Sequence, residues 1–301
     1  MTAGSAREAF AAEELPRIEA ALERAVGRLG EPIGAVALYA VHAGGKRVRP
    51  LLTVAAFRAA GGSGDAIYPV AAAVELIHTY SLLHDDLPCM DDDSMRRGIP
   101  TAHRVYGDRV ALAAGAALQQ LAFLSVSDAA AEDPDPDSAD RLRAMVHRLA
   151  TAAGSEGMVG GQFLDLMAEG TAPDAAGLEA IHRAKTAALL SAACALGGEA
   201  AGAEPEVVDA LAEFGTHLGL AFQIVDDLLD VSGDPTRTGK ASGADAARDK
   251  ATYPAVHGME GARRQAEAAA EVARRALIPL EGRTEVDVLL ETLDFVVDRI
   301  H

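Results

Sequence analysis

Two clusters of aspartates are the residues of this chain best suited to chemistry. The first, His84-Asp85-Asp86-Leu87-Pro88-Cys89-Met90-Asp91-Asp92-Asp93, ends a long apolar run and is followed by Arg96-Arg97. The second, Phe222-Gln223-Ile224-Val225-Asp226-Asp227-Leu228-Leu229-Asp230, ends another. Adjacent aspartates make poor helix interior, because short carboxylates compete for backbone donors. Hard divalent cations take carboxylate oxygens, and magnesium typically binds through one or two carboxylates plus substrate phosphates. Guanidinium forks suit those phosphates, which they bind bidentately. Asp226 and Asp230 stand at i,i+4, which sets their Cβ atoms about 5–6 Å apart on one helix face. Uncompensated, such buried like charges would cost roughly several kcal/mol per ion. Two clusters facing each other across bound cations resolve that cost, in the way helical bundles build metal sites. A solvated acidic loop is the plain alternative.

Helices must position these clusters. Amphipathic spacing predicts one over Glu8–Leu29, stopped at Gly30-Glu31-Pro32, and another over Leu51–Ala60 behind the basic loop Gly44-Gly45-Lys46-Arg47-Val48-Arg49-Pro50. Ala66–Asp86 carries the first cluster to its C-terminal end, and Pro88 then brings Asp91 in from a loop. Val110–Ser127 is apolar nearly all round and reads as a central helix. Further helices are predicted at Arg141–Ala152, Glu156–Ala168, Ala175–Leu196 (in one or two pieces), Pro205–Val231, Gly261–Leu277 and Glu285–Ile300, with a short segment at Ala251–Gly258. No segment sustains a two-residue alternation and no solenoid repeat is visible, so the expectation is an all-α single domain over residues 1–301.

The formal charge of −18, from 27 basic and 45 acidic residues, disfavours nucleic acid and anionic membrane as partners. Cys89 and Cys194 have no paired spacing, which suits a reducing cytoplasm. Met1–Leu15 lacks the apolar core of a secretory signal, and polar residues interrupt the apolar stretches Ala66–Leu83 and Val110–Val126, which read as core and not as membrane spans. Only four lysines occur, Lys46, Lys185, Lys240 and Lys250. Against 23 arginines these are places where a compact ammonium on a flexible stem would be needed, and all four could converge on phosphate oxygens. Gly239-Lys240 is not a Walker A loop, since position 234 is not glycine, and Asp91-Asp92-Asp93 lacks the Gly and terminal Glu of an EF-hand.

From Gly45 to about Pro254 the chain resembles the trans-isoprenyl diphosphate synthases, the polyprenyl synthetases with two aspartate-rich motifs. The resemblance rests on Gly45-Lys46-Arg47-Val48-Arg49-Pro50, Glu75 through Asp86, Gly160-Gly161-Gln162 with Asp165, Lys185-Thr186, and Phe222 through Asp230. It implies an all-α bundle around a deep central cavity, a homodimer, and condensation of isopentenyl diphosphate with an allylic diphosphate (dimethylallyl, geranyl or, for a longer product, farnesyl). It further implies a cluster of three Mg²⁺ ions, with Asp85 and Asp91 holding two and Asp226 the third. Asp86, Asp227, Asp230 and Asp245 would support them. Arg96, Lys185 and Lys240 would contact the allylic diphosphate, with Lys250 nearby. Lys46, Arg49, His78 and Arg97 would hold the diphosphate of isopentenyl diphosphate, and Thr186 and Gln223 would lie beside the reacting carbons. Arg47 reads as solvated, Asp92-Asp93 as solvent-facing or supporting Arg96, and Gln162 and Asp165 as buttresses.

Product length would be set beneath the first motif. Ser81 lies about one turn, or 6 Å, before Asp85, and Tyr80 one residue earlier. A tyrosine there can act as a floor, while Ser81 adds little bulk. With the insertion containing Pro88, this resembles the bacterial farnesyl arrangement; a twenty-carbon geranylgeranyl product is the alternative. A class I terpene cyclase is disfavoured by Asp226-Asp227-x-x-Asp230, and a non-catalytic partner subunit by two intact motifs.

Overall fold

Helices supply nearly all the regular structure of the computed structural model, which describes residues 5–131, 137–168, 170, 173–232, 252–283 and 285–300. α1 (Ala6–Val26) begins at Ser5, whose hydroxyl accepts the Glu8 N–H. α2 (Ile33–His42) has no counterpart in the predicted elements: it is short and apolar on most sides, so no helical period stands out. α3 (Val48–Ala59) and α4 (Ile67–Asp85) follow. A two-residue antiparallel hairpin then pairs Met95 with Pro100 and Arg96 with Ile99. The chain continues through α5 (Ala102–Tyr106), α6 (Asp108–Ala131), α7 (Ser138–Ala153) and α8 (Met158–Ala168). α9 (Ala175–His182) and α10 (Ala188–Ala200) are joined by a π-helical turn over Arg183–Ala187, so the long predicted helix is indeed interrupted. α11 (Pro205–Ser232), α12 (Tyr253–Ala276) and α13 (Val286–Val297) complete the bundle, with α12 kinked at Gly258, where φ is +69°. The all-α expectation holds.

α4 is largely enclosed, packed by α1, α3 and α6. α3 and α10 each give one face to the apolar cluster around α4 and the other to the cluster built on α11, α12 and α13. Their approach is close because Gly197 stands where a Cβ would press on the α3 backbone at Thr53 and Phe57. α6 departs from the expectation of a fully central helix. Ala111, Ala114, Leu118 and Ala122 are buried, but Leu112 and Leu124 are 52% and 38% exposed on its outer side. Among the described residues α6 is the one helix long and apolar enough to cross a membrane, and its buried side lies against α4.

Candidate active site

α4 ends at Asp85, and the chain turns back beyond Pro88 so that the Asp91 N–H donates to the Asp85 carbonyl at 2.8 Å. The Asp92 N–H likewise reaches Leu87 O at 3.1 Å. Burial raises the Asp85 carboxyl to about 6; Lys185 and Arg96 pull it down, while Asp91 and Asp86 push it up. A half-buried carboxylate repelled by its neighbours is one that a hard cation would relieve, so this donor set fits magnesium. Asp86 is buried and takes the Arg96 guanidinium, Nε at 2.6 Å and Nη2 at 2.5 Å. Arg96 also reaches Asp93 at 3.2 Å, and Asp92 pairs with Arg104 at 3.2 Å. Arg96, expected at the allylic diphosphate, is therefore first an internal brace of the motif.

The basic residues gather beside this loop. Arg97 donates to the Gly44 carbonyl, and Gly45 lies so near that a Cβ would stand 2.7 Å from the guanidinium. Both Arg97 and Arg47 occupy left-handed backbone, φ +52° and +48°, the kind of strain that concentrates at functional sites. Burial and the charges of Arg49, Arg97, Arg96 and Arg47 hold His78 well below the ordinary histidine value, so it is neutral at pH 7. Arg49 is lowered by burial, and its Nε lacks a hydrogen-bond partner among the described residues. Lys46 stands over the Phe295 ring at 5.3 Å and is lowered by burial and by Arg299. Lys46 shares the field of Asp226 with Arg49, and Arg49 and Arg97 form an electropositive corner around the neutral His78. Arg47 does not join them: contrary to the solvated reading it is buried, bonded to Glu75 at 2.8 Å, Glu19 at 2.7 Å and Val41 O at 2.6 Å. A charge enclosed by a helix start needs such partners.

On the facing side, the π-helical turn presents Lys185 and Thr186. An added residue in a helix re-aims its side chains and is frequent at functional sites. Gly161 of α8 and Gly219 of α11 allow this turn to seat closely, since a Cβ on either would overlap its backbone. Lys185 Nζ pairs with Asp165 at 2.5 Å, which makes Asp165 a direct partner of a predicted catalytic residue. Thr186 Oγ1 donates to Gln223 Oε1 at 2.9 Å, Gln223 Nε2 donates to Asp227 Oδ1 at 3.0 Å, and Asp227 Oδ2 accepts the Tyr253 N–H at 2.9 Å. This relay locks both residues expected beside the reacting carbons.

Asp226 is bonded to Arg299, from the turn after α13, at 3.0 Å. Among the described residues no three His, Cys, Asp or Glu side chains converge tightly enough to form a metal cluster by themselves. A site shared with substrate phosphates needs no such cluster. Lys240, Asp245 and Lys250 lie outside the described residues. Tyr80 is buried, its hydroxyl 3.5 Å from Ala153 O and its pKa pushed up to about 12 by burial and by Asp85. Ser81 turns its hydroxyl onto His78 O at 2.9 Å.

Arg299 and Glu75 have no role assigned from the motifs, and Asp165, read as a buttress, is the direct partner of Lys185. Arg299 reaches Asp226 across 73 positions, and no spacing announces such a pair. Glu75 and Asp165 do stand inside the motifs, and their signal was an acidic side chain on an otherwise apolar helix stripe.

Residues 31–279 match the polyprenyl synthetase family. The chain is 45% identical to the farnesyl diphosphate synthase of Escherichia coli over 270 residues, covering 89% of each chain. It is 42% identical to the farnesyl diphosphate synthase of Bacillus subtilis over 264 residues, 88% of each. Among solved structures, a geranyltransferase from Helicobacter pylori complexed with magnesium and isoprenyl diphosphate superposes with a TM-score of 0.80 at 29% identity, covering 99% of this chain and 98% of that one. Two aspartate motifs, a neutral histidine among arginines and the locked Thr186–Gln223 pair agree with that likeness: the chain belongs to the polyprenyl synthetase family.

Proposed function

We propose that the 301-residue chain is a prenyltransferase that joins isopentenyl diphosphate head-to-tail to dimethylallyl and then geranyl diphosphate, yielding farnesyl diphosphate. The observation that carries this is the positive charge of Arg49 and Arg97 around the neutral His78, about two turns before Asp85 on the helix that ends at the first aspartate motif. The relatives named above work as farnesyl diphosphate synthases, in keeping with that chemistry.

Asp85, Asp91 and Asp226 would hold magnesium, three ions in this reading, which bound there would neutralise charge developing on the leaving diphosphate. Lys185 adds a cation at the same diphosphate, and Lys240 and Lys250 would do so too. Cleavage of the allylic C–O bond leaves its electron pair on diphosphate. The double bond of isopentenyl diphosphate, anchored by Lys46, Arg49, His78 and Arg97, attacks the allylic cation at close range. The departed diphosphate takes the proton whose loss restores the double bond. Thr186 and Gln223, fixed by Asp227, offer oxygen dipoles beside the cation, and the apolar walls exclude water. Tyr80 stops the growing tail.

The protein works as a homodimer in this reading, since Leu112, Leu124, Val105 and Tyr106 give α5 and α6 an apolar outer surface. Free Cys89 and Cys194 suit the cytoplasm. The test is incubation of purified protein with Mg²⁺, radiolabelled isopentenyl diphosphate and each allylic primer. Farnesyl diphosphate is the expected product. No elongation with any primer refutes the assignment, and a twenty-carbon product refutes the assigned length.

A further inference from the structure

We propose that His84 and Gly115 form a buttress that sets the position of the Tyr80 ring and so helps decide product length. The proposal rests on the reading of Tyr80 as the floor of the cavity. Tyr80 and His84 are i,i+4 neighbours on α4, and their rings meet edge to face with centroids 5.6 Å apart. Besides its packing in the core, Tyr80 has, among the described residues, only a weak polar contact, its hydroxyl 3.5 Å from Ala153 O. The His84 contact is the better-defined of the two.

His84 is itself fixed from α6. Its Nε2 donates to the Leu112 carbonyl at 3.1 Å. Its ring lies close against Gly115, which is buried, and a Cβ there would overlap Nε2 and Cδ2. No left-handed φ explains this glycine, which sits mid-helix where alanine is the better helix former. What it provides is room for the imidazole. Position 115 therefore acts on Tyr80 through His84, at a distance from the reacting carbons. Both residues are positioning residues, whose effect should appear in the ratio of products and not only in the rate.

The experiment compares product ratios, fifteen carbons against longer, for the full-length protein and the variants Tyr80→Ala, His84→Ala, His84→Gln, Gly115→Ala and the His84→Ala/Gly115→Ala double variant. His84→Ala should raise the longer share about two- to tenfold, the weight of one edge-to-face contact. His84→Gln, which keeps a donor in reach of Leu112 O, should bring the ratio back. Gly115→Ala should shift the ratio by displacing the ring, and that shift should vanish when His84 is already alanine, as expected of coupled neighbours. If Tyr80→Ala lengthens the product while His84→Ala and Gly115→Ala leave the ratio unchanged, the buttress is refuted and the floor survives. An equal Gly115→Ala effect in both backgrounds also refutes it. An unchanged ratio in Tyr80→Ala would bring down the floor, and the buttress with it. Since a ratio does not depend on yield, a poorly folding His84→Ala still leaves Gly115→Ala and His84→Gln to decide.

Discussion

Replacing Glu75 by glutamine should destabilise the protein and selectively weaken the binding of isopentenyl diphosphate. Glu75 and Arg47 form a buried pair, their side chains 3% and 4% exposed, with Nη1 to Oε1 at 2.8 Å. Burial works against the charge on Arg47, yet Glu19 and Glu75 together hold its pKa above the ordinary value. Breaking a buried pair from one side costs about 3–5 kcal/mol. Here Glu19 and Val41 O remain on the guanidinium, so the loss should be nearer about 2–3 kcal/mol, the weight of one charge-assisted bond. With a urea dependence of about 3 kcal/mol per molar, the unfolding midpoint should fall by roughly 0.7–1 M. Arg47 also starts α3 between Lys46 and Arg49, so its loosening should raise KM for isopentenyl diphosphate more than KM for the allylic primer. Urea melts and steady-state kinetics together test this. A midpoint within about 0.2 M of the parent, or a loss confined to the allylic primer, would refute the idea that this pair holds the basic corner in place.

Four further outcomes follow from the site. The Asp85 carboxyl titrates near 6 in the fold and near 3.8 when unfolded, so its contribution to stability falls as pH rises between those values, by about 3 kcal/mol in the metal-free protein. Melts from pH 4 to 7 should be flatter in Asp85→Asn, and an unchanged slope would contradict this. Gly161→Ala forces α8 away from the Lys185 backbone and should lower kcat about a hundredfold, with substrate affinities read separately by equilibrium binding and nearly unchanged. Gly45→Ala drives a methyl toward Arg97 at a backbone φ of +140° and should raise KM for isopentenyl diphosphate about tenfold, seen in initial rates. Arg299→Ala removes a cation from Asp226 and should tighten Mg²⁺ binding, measured calorimetrically with a non-reactive allylic analogue, by about two- to fivefold at this partly exposed pair. Weaker binding would mean that Arg299 supports the site instead of competing for it.

Much of this architecture is legible in the residues themselves. Long apolar runs stopped by glycine, proline or paired aspartates locate most helices, because burial and helix termination are local properties. α2 is not legible: ten residues without a polar face carry no period. Within the candidate site, Asp85, Asp91, Lys185 and Thr186 are proposed from type and order, and the structure adds the partners Asp165 and Gln223. Arg47 is misread, because a charged residue in a glycine-flanked basic loop looks solvated until Glu75 and Glu19 close around it. The Asp226–Arg299 pair and the meeting of His84 with Gly115 depend on which helices become neighbours, which no local pattern encodes, whereas Tyr80 and His84 are local i,i+4 neighbours.

Under the proposed function, the hairpin after the first motif would let the two substrates sense each other. Arg96 braces the aspartates of one site, and the next residue, Arg97, leans on Gly44 at the other. Arg96 ends the strand and Arg97 opens the turn in left-handed backbone, so one dipeptide reaches both the first motif and the Gly44–Gly45 loop. On the roles proposed for Arg96 and Arg97, neither diphosphate would pull on the hairpin without moving the cation offered to its partner. Whatever factor the first ligand thereby adds to the affinity for the second must be returned equally in the other direction. On those roles, two adjacent arginines would make occupancy of the two sites thermodynamically interdependent.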